Sequence, residues 1–83
     1  MINLYVNRYK MTPALGAFVK TERKKIKLTQ SEFAERAGVA LVVIRKIEQG
    51  KENLNLRKVN RVLLMFDHTL GPVKVQRESI SEQ

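Results

Sequence analysis

Apolar residues along the chain fall into four blocks of helical period, separated by Gly, Pro, Thr and Asn. Leu15, Phe18, Val19, Glu22 and Ile26 share one helical face, and the Thr12–Pro13 pair before them is an N-cap followed by proline at the first helical position. This pattern predicts a first helix over 13–27. Gly16 lies inside it, at a cost of about 1 kcal/mol relative to alanine, so either the first turn frays or it sits against another backbone. Thr29 with Glu32 three positions on forms a capping box, and Gly38 supplies a left-handed stop, which predicts a second helix over 30–37. A third helix follows over 40–49 and ends at Gly50. A fourth, capped by Asn55, runs over 56–66 on the ladder Leu56, Val59, Val62, Leu63 and Phe66.

Both ends lose this period. Ile2, Leu4 and Val6 alternate with polar neighbours, which suggests an extended arm over 1–11 ahead of a helical domain over 12–67. Beyond Asp67, Gly71 and Pro72 precede Val73 and Val75, the alternation of a short edge strand within 68–77. The polar end, 78–83, is expected to be a mobile tail. The expected architecture is all-α, a bundle of four to five short helices with a short C-terminal β-strand.

Two tight helices around Gly38 make a helix-turn-helix. Phe33, Ile44 and Ile47 lock them together, Ala34 and Ala37 allow close approach, and Gly38 takes the positive φ that the turn requires. With those residues inward, the third helix presents Leu41, Val42, Arg45 and Lys46 outward.

Charge changes the picture by naming a partner. The chain has 83 residues with a formal charge of +8, and twelve basic but only five acidic residues lie between Lys20 and Arg61. The excess therefore belongs to the folded centre and points to a polyanion. The absence of Cys removes thiolate metal sites and a cysteine nucleophile, and His68 alone builds no metal site, so neither metal nor cofactor is expected. No catalytic triad, glycine-rich phosphate loop or enclosed carboxylate pair is recognisable, which argues against an enzyme. The longest apolar runs, 39–44 and 62–66, are far below the ~20 residues of a membrane span, and 1–10 has no secretory h-region. A cytoplasmic, nucleoid-associated protein is expected.

The segment 29–50 resembles the Xre, or λ-repressor-like, helix-turn-helix family. Thr29 and Gln30 match the start of its second helix, Ala34, Gly38 and Val39 its turn, and Ile44, Glu48 and Gly50 the end of its third helix. The likeness extends from Leu15 to Phe66. The ending 59–75 resembles that of HipB-type antitoxins of toxin-antitoxin systems, in which a terminal strand pairs with its dimer mate.

The resemblance implies roles for particular residues. Ala40, Leu41, Val42, Arg45 and Lys46 would read base edges, and Gln30, Lys51, Arg57 and Lys58 would contact phosphates. Arg23 would pair with Glu48, which otherwise sits unfavourably in the last turn of its helix. Leu41 and Val42 depart from the family's usual Gln, Arg or Ser: they either touch thymine methyl groups or form a protein-binding patch. Leu70, Val73 and Val75 would form the dimerising strand, with pairing through Leu64, Met65 and Phe66 of the fourth helix as the alternative. The function implied is a homodimeric, sequence-specific repressor on a palindromic operator. It would act as an antitoxin that represses its own promoter and binds a HipA-like kinase toxin. A stand-alone or phage-type repressor and a protein-interaction module are the other two readings.

Overall fold

A computed structural model describes residues 14–74. Within that range the chain forms four α-helices: α1 (Ala14–Lys25), α2 (Gln30–Ala37), α3 (Leu41–Glu48) and α4 (Leu56–Leu64). The expected Thr12–Pro13 cap, the arm over 1–11, Val75 and the tail over 78–83 lie outside the described residues.

Two of the starts follow from local hydrogen bonding. Thr29 and Glu32 close a capping box on α2: Glu32 N–H donates to Thr29 Oγ1 at 3.1 Å and Thr29 N–H to Glu32 Oε1 at 2.8 Å. Asn55 Oδ1 accepts from Lys58 N–H at 3.0 Å at the head of α4. By contrast, Ala40 precedes α3 in an extended conformation with no side-chain cap.

All four helices end in one way. A residue in the left-handed conformation follows each: Lys27 (φ 59°), Gly38 (φ 75°), Gly50 (φ 79°) and Asp67 (φ 59°). Its N–H and the next residue's N–H turn back onto the last turn, as in the Schellman motif: Gly38 to Glu35 O and Val39 to Ala34 O, Gly50 to Ile47 O and Lys51 to Lys46 O. Lys27 and Leu28 do the same on Lys24 and Arg23, and Asp67 and His68 on Leu64 and Leu63. The first and fourth helices are therefore shorter than the apolar pattern suggests, stopping at Lys25 and Leu64. Holding a non-glycine residue there costs on the order of 1 kcal/mol, against which stand the two backbone hydrogen bonds that each turn makes.

Val19, Phe33, Ala34, Ala37, Ile44, Ile47, Val59, Val62 and Leu63 form the core. α3 lies at its centre and packs against the other three helices. Phe66, just beyond α4, stacks on Phe33 with ring centroids 5.4 Å apart and meets Phe18 edge-on at 6.0 Å. Leu56 departs from its expected place in the core ladder, because the first turn of α4 leaves it 67% exposed.

After α4 the chain folds back on itself. Asn60 Oδ1 accepts from Leu70 N–H at 2.7 Å and from the Thr69 hydroxyl at 3.0 Å, and Leu70 packs against the core of its own chain. The segment 69–74 carries no strand pairing within the described chain, and Val73 is exposed.

Gly16 marks a close approach between α1 and the backbone of α3. A Cβ built there would stand 2.5 Å from Ile47 O and 3.3 Å from Glu48 O, so α1 rests directly on the last turn of α3. Gly16→Ala should therefore lower stability by about 1 to 3 kcal/mol in urea unfolding, although alanine is the better helix former by about 1 kcal/mol. An unchanged or raised midpoint would show that the contact is loose.

Candidate nucleic-acid interface

The exposed face of α3 is held by a buried charge cluster at its C-terminal end. Arg23 on α1 donates from Nε to Glu48 Oε2 at 2.7 Å and from Nη2 to Oε1 at 3.0 Å, while Nη1 donates to Leu28 O at 2.8 Å. Gln30 Nε2 adds a bond to Glu48 Oε1 at 3.0 Å. Both charged side chains are almost enclosed, at 9% and 5% exposure. One carboxylate thus joins α1, the head of α2 and the last turn of α3. Burial pushes the Glu48 carboxyl up, but the hydrogen bonds from Arg23 and Gln30 and the charges of Arg23 and Lys20 outweigh it and hold it below its ordinary value. The same bond to Glu48 raises the Arg23 guanidinium.

Gln30, expected on a phosphate, is half-buried with its amide turned toward Glu48. Its first demonstrable part is as a strut. A second strut supports the turn: Arg61 Nη1 on α4 donates to Gly38 O at 3.3 Å.

With Ile44 and Ile47 buried, α3 turns Val42 and Arg45 to solvent, Val42 being 54% exposed. Gln49 lies on the same face, seven residues from Val42 and four from Arg45. The apolar pattern assigned it only to the helix end, and its spacing is the signal that places it here. Ala40 is exposed at the start. Leu41 is half-buried and packs against the core, so only part of its surface faces outward. Lys46 is half-buried as well and lines a groove between α3 and the head of α4. Lys51, Arg57 and Lys58, in and after the loop that follows α3, are exposed. The arrangement is a short helix, backed by the core, that shows the apolar Val42, the guanidinium of Arg45 and the amide of Gln49, with exposed cations in the residues that follow it. His68, at the end of α4, packs its ring 4.7 Å from that of Phe18 and places Nδ1 2.6 Å from Phe66 O.

Among the described residues no group of His, Cys, Asp and Glu has the geometry to hold a metal ion, and no helix is long and apolar enough to cross a membrane.

Residues 19–67 match the helix-turn-helix family, and the chain belongs to that family of DNA-binding regulators. It is similar to the "ImmF control region 10 kDa protein" of Bacillus phage phi105, with 26% identity over 69 residues that cover 83% of this chain and 77% of the phage protein.

The charge cluster sets an acid limit on the interface. Because the Glu48 carboxyl titrates lower in the folded than in the unfolded chain, its stabilisation is complete above the unfolded value, about pH 4.3, and is lost as pH falls through the folded value. Glu48→Gln should accordingly flatten the acid limb of the stability curve, and Glu48→Ala, which strands Arg23, should cost about 3 kcal/mol at neutral pH. Urea unfolding from neutral to acid pH measures both. A parent-like acid limb in Glu48→Gln would remove Glu48 as its source.

Proposed function

We propose that the chain is a sequence-specific transcriptional repressor that binds a palindromic DNA operator as a homodimer. The observation that carries this reading is the outward face of α3. Val42 and Arg45 stand free on a helix whose opposite face is locked into the core, so the backbone carrying side chains able to touch a thymine methyl and a guanine edge is held in place before DNA arrives. Lys51, Arg57 and Lys58 flank that face and supply phosphate contacts, which set register without reading sequence. The central excess of positive charge supports the same partner.

Dimerisation supports palindrome reading because two third helices must be held about 34 Å apart to enter successive major grooves. Leu64, Met65 and Val73 are the exposed apolar groups around the end of α4 and the segment after it, and they are available to a second copy. Both routes use this region: pairing through α4, or antiparallel pairing of the strand that Leu70, Val73 and Val75 would build. The bond from Leu70 N–H to Asn60 favours α4, since it commits the start of that strand to its own chain.

The setting we favour is a stand-alone regulator. The similarity to a phage protein named for a control region runs over most of both chains, whereas the antitoxin setting, with a HipA-like kinase as partner, rests on the resemblance of 59–75 alone.

Selection of duplexes from a randomised pool should return a two-fold symmetric site. Its affinity should fall with salt at a logarithmic slope near about −5 if six phosphates are neutralised. Arg45→Ala should lose about 1 to 3 kcal/mol on that site and relax one base position in each half, whereas Arg57→Ala should weaken all duplexes alike. If the selected and scrambled duplexes bind equally at physiological salt, the chain does not read sequence.

A further inference from the structure

The groove between α3 and the head of α4 has a volume of about 210 Å³. Val42, at its edge toward the open face of α3, joins Val43, Leu54 and Val59 in the apolar lining, Lys46, Asn53, Asn55 and Lys58 supply the polar lining, and no carboxylate lines it. Lys46 is half-buried, while Arg45, the next residue back, is exposed. Neighbours on one short helix therefore face different surroundings: Arg45 stands on the open face and Lys46 lines the concavity.

Lys46 and Lys58 both line the concavity, and a single anion bound between their ammonium groups would turn mutual repulsion into attraction. The amide of Asn53 adds a neutral donor. An ammonium is a compact point charge that suits a phosphate, whereas a planar guanidinium has the fork needed for two bonds to a guanine edge. The lysine stem can also lie along the apolar lining while its head stays in contact with water.

We propose that this groove seats one phosphodiester group of the DNA backbone, held by Lys46, Lys58 and Asn53, and that the open face of α3, with Val42, Arg45 and Gln49, sets the sequence preference without Lys46. The proposal rests on the chain binding DNA and reassigns Lys46 from base reading to backbone positioning. It also brings in Asn53, which no motif marks. The apolar walls exclude water on one side of the seated phosphate and strengthen its attraction to both cations.

Salt titrations of the full chain test it, using a duplex selected from a randomised pool and a scrambled duplex of the same composition, between about 50 and 200 mM salt. Lys46→Met keeps the apolar stem, and Lys46→Ala removes it. Both should weaken the two duplexes equally, by about fivefold near 0.15 M salt, and lower the logarithmic salt slope by about 0.9. Asn53→Ala should weaken both duplexes without changing the slope. Base preferences selected by the Lys46 variants should equal those of the parent, with an unchanged thermal midpoint. A Lys46 variant that changes base preference and keeps the full slope would make Lys46 a base reader, and one that changes neither would show that the groove is not a contact; either result overturns the proposal. Should the pool return no preferred duplex, sequence reading is what fails, and the slope on the scrambled duplex still decides the role of Lys46.

Discussion

A carboxylate in the last turn of a helix sits where the helix already concentrates negative partial charge, so Glu48 is acceptable only in company. Arg23 supplies two hydrogen bonds and Gln30 a third, and the same turn receives the backbone of α1 at Gly16. Three helices are therefore fixed against one another within a few ångströms of the end of α3. A bare glycine is required for the approach, a guanidinium for the charge, and an amide for the remaining bond. The pair is more than a stabilising contact because it fixes the orientation of the helix that carries Val42 and Arg45.

That orientation matters because α3 is short. Eight residues do not hold a helix in water, so its geometry is borrowed from the core through Ile44 and Ile47 and from its two ends. At the C-terminal end Gly50 closes the helix, and at the N-terminal side Arg61 secures the carbonyl of Gly38. The backbone that carries the free face is then displayed with little freedom left to lose on contact, which lowers the ordering cost of binding.

The helix ends show how far local signals reach. Gly38 and Gly50 mark their left-handed positions in the sequence because glycine adopts positive φ without steric cost, and the ends of α2 and α3 follow from them. Lys27 and Asp67 occupy the same conformation at the ends of α1 and α4, yet nothing about a lysine, and little about an aspartate, announces it. Apolar spacing alone carries both helices too far. Leu56 misleads in the same way: its spacing fits the core face of α4, but a first turn at the edge of the bundle has no facing helix to cover it.

Apolar period, capping residues, turn glycines and clustered charge are properties of neighbours in the chain, and by themselves they determined four helices, the helix-turn-helix and a basic surface. The tertiary structure decided which polar groups face one another. Gln30 turns toward Glu48, eighteen residues away, Lys46 lines a groove with Lys58, Leu41 is drawn partly into the core, and Leu70 is tied to Asn60. Each of these depends on a partner from a different element. The direction of a side chain is set by what lies across from it, and that is known only once the helices have packed.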